Sequence, residues 1–387
     1  MKRILIVNNN LHIGGVQKSL LNLLHEIGSD YEITLLLFYD GGELRKDVPP
    51  CVKVISPTSP FRYWGMTRND AWGLKDRVSR TFWMAMTRLF GRKPMLRILY
   101  PFQKKLSGYD VAISFLHSGD AKVFLGGCNE FVLNCVNAKK KVTFLHCDYG
   151  KINSNPMYNC DIYERFDVIA ACSSGCRESF VKVMPQFAKK TVVVQNFHSY
   201  EKIRAQAKKD PVLLPKDTIN IVTVSRFGRE KGIPRAIQAI AKLGKQRDKM
   251  RYYIIGNGKE FQEAESLVQE FHLGDRVFLL GEKENPYGYM RAADVLLIPS
   301  FSEAAPMVIG EAACLGTPIL STETSSAYEM VSMTGFGWVC ENSDNGITTG
   351  ISKLLSDPSI LRERKMFLQN KEFDDDIVRK QFSKLVL

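Results

Sequence analysis

No apolar run among the 387 residues approaches the ~20 needed to span a bilayer. The opening MKRILIVNNN carries two basic residues but an apolar stretch of only about four, short of the roughly 7 to 15 of a signal h-region. It reads as a first strand, and a cytoplasmic chain is the expectation. A disulfide framework is equally lacking. The nine cysteines are scattered through apolar runs (Cys128, Cys135, Cys147, Cys172, Cys314), a pattern of reduced and mostly buried thiols. Cys172 and Cys176 lie four apart with no matching second pair, which argues against zinc. No Asp-x-Asp pair ends a strand to hold magnesium, so neither metal nor other cofactor is expected. There is no full GxGxxG fingerprint, no nucleophile elbow, no internal repeat and no recognised RNA- or DNA-binding module. Nucleic acid is therefore not expected as a partner.

What is present is length, cores and charge. The chain exceeds the roughly 250 to 300 residues at which one core stops growing, so two domains are expected. A formal charge of +12 favours an anionic partner. Most of the excess sits between Phe61 and Lys105, where eleven Lys or Arg face only Asp70 and Asp76, together with three of the four Trp.

Short β-branched or Leu-rich runs alternate with helical patterns at Ile4 to Val7, Ile33 to Phe38, Val52 to Ile55, Val111 to Phe115, Val142 to His146, Val168 to Ala171 and Thr191 to Val194. This rhythm means βαβ units on a parallel sheet. It starts over at Ile219 to Val224 and runs through Arg251 to Ile255, Arg276 to Leu280, Val295 to Ile298 and Pro318 to Ser321. The expected organisation is an α/β protein of two Rossmann-like domains. Residues 1–197 form the first, with a basic aromatic insert at 61–105; 198–217 are a linker; 218–370 form the second; 371–387 are a terminal helix crossing back to the first. Ligands of open α/β sheets bind beyond the carboxyl ends of the strands, so a cleft between the domains is expected.

The segment IPSFSEAAPMVIGEAACLGTPIL, Ile298 to Leu320, carries the most chemistry. A strand ends at Pro299, a loop holds Glu303, Pro306 opens a helix, and Glu311 falls about two turns into it. Each carboxylate can accept two hydroxyl hydrogen bonds from a diol, one on a hexose and one on a ribose. The helix start between them, at Ala305, Pro306 and Met307, can face a diphosphate. An exposed loop Glu and a helix Glu without a role would satisfy the same spacing. SRFGREK follows the first strand of the second series directly, placing Arg226 and Lys231 where cations can neutralise a leaving diphosphate without a metal. Gly256 and Asn257 of IGNG close another strand, and GEKENPY, with Asn285, Pro286 and Tyr287, closes a third; glycine there permits close backbone approach to a nucleotide. In the first domain, Gly14 and Gly15 precede a helical run whose N–H groups can face an anion. His146 ends the strand KVTFLH and His117 follows Val111 to Phe115, both at strand carboxyl ends.

These segments, SRFGREKG, GNG, NPYGYMRAADVLLIPS and SEAAPMVIGEAACLGTPIL, stand in the order and spacing of the family 4 retaining glycosyltransferases, whose E-x7-E motif they resemble at Glu303 and Glu311. GG after strand one, TFLHCDYG, VIAACSSGCRESF and VVVQN extend the resemblance through nearly the whole chain. It implies two facing Rossmann-like domains (GT-B), a nucleotide-sugar donor, with UDP the expected nucleotide, held by the second domain, and transfer with retention of anomeric configuration. By position, Arg226 and Lys231 resemble the family's diphosphate binders, Glu303 its hexose contact, Glu311 its ribose contact and His146 its cleft histidine. The family usually has Gly after the first Glu; this chain has Ala304 and then Ala305, which makes the backbone beside the hexose less permissive.

Within 61–105, Val78, Phe82, Met86 and Leu89 recur at helical spacing with Arg77, Arg80, Arg88 and Arg92 around them. A basic amphipathic helix with Trp suits an anionic membrane surface, peripheral on the inner face; a helix packed on the sheet would give the same spacing. The expected acceptor is a polysaccharide or a lipid-linked saccharide. A nucleotide-sugar epimerase and a non-catalytic membrane-surface partner are the competing readings.

Overall fold

The computed structural model describes residues 1–152 and 156–387. The chain divides into two units, one of Met1–Phe197 and Asp375–Leu387, the other of His198–Asp374.

The first unit runs β1 (Arg3–Asn8), α1 (Gly15–Ile27), β2 (Glu32–Leu37), β3 (Lys53–Ile55), α2 (Leu74–Phe90), α3 (Arg92–Leu99), β4 (Leu106–Ser114), α4 (Cys128–Cys135), β5 (Val136–Leu145), α5 (Pro156–Glu164), β6 (Val168–Ala171), α6 (Ser174–Val183) and β7 (Thr191–Val193). The seven strands are all parallel, in the order β3-β2-β1-β4-β5-β6-β7. Helices cover both faces of such a sheet, which is why β1, β2 and the carboxyl halves of β4 and β5 are buried without alternation. In β1, Ile4 and Ile6 enter the core beneath α1, while Leu5 and Val7 enter the opposite core with α3 and α4.

The second unit runs α7 (Tyr200–Lys209), β8 (Ile219–Val224), α8 (Ile233–Ala241), β9 (Met250–Ile255), α9 (Phe261–Glu270), β10 (Val277–Leu279), α10 (Tyr287–Ala292), β11 (Val295–Ile298), α11 (Met307–Cys314), β12 (Ile319–Thr322), β13 (Gly337–Cys340), α12 (Asp344–Ser356) and α13 (Ser359–Gln369). Its six strands are parallel in the order β10-β9-β8-β11-β12-β13. Numbered within the unit this is 3-2-1-4-5-6, so the strand order reverses between β8 and β11. In the first unit it reverses between β1 and β4.

Two features depart from the sequence reading. Residues 198–217, expected as a linker carrying the helical stretch EKIRAQAKK, hold that helix as α7, but its Ile203 and Ala207 are buried in the core shared with α10 and α11. Strand β13 was not anticipated. The terminal helix α14 (Asp376–Val386) packs Val378, Phe382 and Leu385 into the first unit's core, and its Arg379 pairs with Glu26 and Asp30 of that unit.

The insert holds α2 and α3, and the helical spacing read from the sequence is present but turned outward. Val78, Phe82 and Leu89 are exposed, whereas Trp83, Met84 and Met86 pack on the core. Arg92, expected among the solvated cations, is only 3% exposed and pairs with Glu130, itself 2% exposed, at 2.9 Å. It faces inward because Glu130 of α4 and the Val123 carbonyl both accept from its guanidinium. All nine cysteines are free, and six are buried.

Candidate functional site

The turn after β8 and the turn after β11 flank the second unit's switch point, and their side chains meet there. Lys231 Nζ donates to Glu303 Oε1 at 2.6 Å, and Ser300 Oγ donates to the same oxygen at 2.7 Å. The loop reaching Glu303 is tied down by its backbone: the Ser325 hydroxyl donates to Glu303 O and the Phe301 N–H to Glu230 O. Arg226 is mostly exposed and pairs with Glu230 at 2.7 Å. The two sequence-derived cations thus differ, Lys231 held against a carboxylate of the second turn and Arg226 paired within its own.

Glycine does specific work in the neighbouring turns. Gly256 has φ 141°, and a Cβ there would stand 1.9 Å from Ser225 O. Gly258 has φ 156°, with Phe227 O 2.5 Å from the corresponding position. Close approach lets the turns bond to one another: Phe227 N–H donates to Asn257 O and Gly256 N–H to Gly281 O, both at 2.9 Å. SRF, GNG and the Gly281 turn therefore form one laced edge at the carboxyl ends of β8, β9 and β10.

Helix α11 starts at Met307 after Pro306, so Glu311 lies little more than one turn in, not two, and it is buried. The Tyr287 hydroxyl donates to Glu311 Oε1 at 3.2 Å. Burial and the neighbouring carboxylate push the Tyr287 phenol well above its ordinary pKa. Asn285, read from the sequence as a nucleotide contact, instead donates to Gln206 O and Asp210 Oδ2 of the α7 end, and Pro286 precedes α10. Ala304 and Ala305 have negative φ, since Ser199 and His272 are the only non-glycine residues with positive φ among those described. The departure from the family's glycine therefore costs no backbone strain.

In the first unit, Gly14 is extended and caps α1, which Gly15 opens. His117 and His146 follow β4 and β5. The His146 ring stacks on Phe144 at 5.7 Å and tilts on Phe115 at 4.7 Å. Burial, then the charge of His117, pushes His146 down to about 3; burial, then Arg92, pushes His117 down to about 4. Both are neutral imidazoles near pH 7. His146 Nε2 and His117 Nδ1 are buried with no hydrogen-bond partner among the described residues.

Sequence reasoning missed Ser300, Ser325 and Arg235. Arg235 alone left a signal, as a cation on the otherwise apolar face of Ile233, Ala236, Ile237 and Ile240. Among the described residues no three His, Cys, Asp or Glu side chains gather to hold a metal ion. No helix there is long and apolar enough to cross a membrane.

Two all-parallel sheets in this order define a two-domain Rossmann-like GT-B fold. Residues 205–372 match the family described as Glycosyl transferases group 1. The chain is 25% identical over 377 residues to the N-acetylgalactosamine-N,N'-diacetylbacillosaminyl-diphospho-undecaprenol 4-alpha-N-acetylgalactosaminyltransferase of Campylobacter jejuni, covering 94% of this chain and 93% of that one. Similarity to the N-acetyl-alpha-D-glucosaminyl L-malate synthase of Bacillus anthracis is 28% over 237 residues, 58% of this chain and 60% of that protein. The fold resembles Anabaena HepE solved with UDP and glucose, with a TM-score of 0.70 at 17% identity over 100% of this chain and 99% of that one.

Proposed function

We propose that the chain transfers a hexose from a UDP-sugar to a polysaccharide or lipid-linked saccharide acceptor, with retention and without a metal. The observation that carries this is the Lys231–Glu303 pair at the switch point, beside the start of α11 and the buried Glu311. Glu303 contacts the hexose, Glu311 the ribose, and Lys231 with Arg226 meets the diphosphate. The acceptor hydroxyl attacks the anomeric carbon on the face from which UDP departs, and a departing phosphate oxygen takes the hydroxyl proton. His146 contacts the transferred sugar or the acceptor as a neutral hydrogen-bonding group. The Anabaena neighbour was solved with UDP and glucose, and the Campylobacter relative is named for a diphospho-undecaprenol acceptor; both support this reading.

The test is a calorimetric screen of UDP-, GDP- and ADP-sugars with EDTA present, followed by product analysis by NMR. Binding of a UDP-sugar and an α-linked product from an α-linked donor are expected. No affinity for any of the donors at millimolar concentration overturns the proposal.

The outward face of the insert supports a membrane-surface location. Leu74, Val78, Phe82 and Leu89 line one stripe of α2, with exposed Lys75, Arg77 and Arg88 beside it and Trp72, 84% exposed, just ahead. The only acids of the insert are turned away, Asp70 buried and Asp76 bonded to Arg62. An apolar stripe flanked by cations fits an anionic bilayer interface. Co-sedimentation with phosphatidylglycerol vesicles, lost in Phe82→Ser/Leu89→Ser, is expected; equal recovery with and without vesicles overturns it.

A further inference from the structure

Arg235 is a buried cation for which no described residue supplies a carboxylate ion pair. It stands in the first turn of α8, 5% exposed, and no ion pair is formed with it among the described residues. Burial lowers its pKa, only partly opposed by Asp344. A guanidinium so placed must be satisfied by neutral acceptors or it destabilises the fold.

Its acceptors belong almost entirely to one turn. Arg235 Nε donates to Pro299 O at 2.7 Å and Nη2 to Ser300 O at 3.0 Å, the two carbonyls that follow β11. Nη2 also donates to Asn342 Oδ1 at 2.8 Å, and Asn342 Nδ2 in turn donates to Phe301 O at 3.1 Å and Glu323 O at 2.8 Å. The Phe301 ring lies over the guanidinium, 3.8 Å from its carbon to the ring centroid. Gly232 completes the approach, since a Cβ there would stand 2.3 Å from Pro299 O. Three successive carbonyls, Pro299, Ser300 and Phe301, are thus fixed by Arg235 and by the side chain it orients. Two residues on is Glu303, whose carboxylate holds Lys231.

We propose that Arg235, with Asn342, is a positioning residue for the donor hexose, fixing the Pro299–Glu303 turn so that Glu303 is presented to the sugar. The inference rests on the function proposed above. It assigns discrimination between a nucleotide and a nucleotide-sugar to a residue that touches neither. The planar fork matters more than the charge: a lysine ammonium is a point donor and cannot span two carbonyls and an amide oxygen together.

The experiment measures affinity for UDP and for UDP-glucose, UDP-N-acetylglucosamine and UDP-N-acetylgalactosamine in wild type, Arg235→Met, Arg235→Lys and Asn342→Ala, with thermal midpoints alongside. Both Arg235 variants are expected to keep UDP affinity within about twofold, because Glu311 and the glycine turns lie outside the clamp. They are expected to lose roughly tenfold or more in affinity for the preferred sugar donor, with Lys recovering little of the loss. Asn342→Ala, at a half-buried position, keeps the fold if the Arg235 variants do not, and shifts the same ratio in the same direction by a smaller factor. Folded variants that lose UDP and UDP-sugar affinity equally, or neither, overturn the clamp. A wild-type protein that binds neither UDP nor any of the sugars overturns the proposed function itself.

Discussion

Lys231 and Glu303 stand 72 positions apart in sequence and 2.6 Å apart in space, joined across the point where the second sheet reverses its strand order. Each residue comes from a turn after a different strand, so the pair exists only if β8 and β11 are neighbours. The partly buried carboxylate is aligned by the ammonium and by the Ser300 hydroxyl, and such fixed alignment is the preorganisation an electrostatic site needs.

Truncating either member is therefore expected to act on turnover more than on folding. Glu303→Ala should abolish transfer with the thermal midpoint nearly unchanged, and Lys231→Ala should lower kcat by about 10²-fold or more. Near-normal turnover of Glu303→Ala in a steady-state assay would remove this carboxylate from the reaction.

The buried Arg92–Glu130 pair carries a stability expectation. Glu130 accepts from Arg92 Nε and from the Tyr158 hydroxyl, and Arg92 also donates to Val123 O. Burial opposes the charge on both, yet each holds its partner ionised, Arg92 raised and Glu130 lowered in pKa. Arg92→Met leaves an uncompensated buried carboxylate and should destabilise by about 3–5 kcal/mol in urea unfolding; Arg92→Met/Glu130→Met should recover most of it. A single variant within 1 kcal/mol of wild type, roughly the range of surface pairs, would mean the pair is hydrated.

How far the sequence revealed these features follows from how local their causes are. The strands after Ile4 and Ile219 were legible because parallel strands buried on both faces are continuous apolar runs, and the glycines of IGNG because a turn with φ 141° leaves its mark at one position. Glu303 and Glu311 were legible as residue types at strand and helix ends. What was not legible depends on distant partners. Arg92 reads as one more cation until α4 supplies Glu130, 38 residues later. Arg235 takes Asn342 from 107 residues away, behind a strand of only four residues, and periodicity cannot reveal such a strand. The segment after Phe197 reads as a linker because it loses the strand rhythm and its helical stretch EKIRAQAKK is rich in Lys and Arg; its two buried residues, Ile203 and Ala207, are one turn apart and too few to register as an apolar face.

His146 should remain neutral across the working range. Its pKa of about 3, set by burial and then by His117, places its titration far below the ordinary 6.5. A group depressed in this way destabilises the fold as pH falls below 6.5, because the unfolded chain takes up a proton that the folded chain refuses. The expected NMR titration shows no His146 ring shift between pH 5 and 8, and His146→Gln should lower kcat while leaving the pH profile of kcat/KM unchanged in shape. An inflection near pH 6.5 that disappears in His146→Gln would make this imidazole a proton-transfer group instead.

His12 carries the opposite sign. Its Nε2 lies 2.9 Å from Asp70 and its Nδ1 3.1 Å from Glu43, so the ring joins the loop after β1 to the start of the insert. Burial alone would lower its pKa, but the two carboxylates outweigh that and raise it; burial alone would raise Asp70 and Glu43, but hydrogen bonds outweigh it and lower both, from Thr67 and His12 to Asp70 and from its own backbone N–H, His12 and Ile13 to Glu43. Tyr39 faces the same cluster, its phenol raised by burial and by Asp70. A raised histidine contributes stability that is fully present below its ordinary 6.5 and is lost as pH rises through the higher folded value. The lowered carboxylates contribute above their ordinary 3.8 and 4.5 and lose that on acidification. The cluster therefore holds best in mildly acidic to neutral solution. The thermal midpoint of wild type should fall more steeply above pH 6.5 than that of His12→Gln, which keeps a hydrogen bond to one carboxylate but cannot charge. Parallel curves for the two proteins from pH 6 to 9 would show that the imidazolium adds nothing to the link between the glycine loop and the insert.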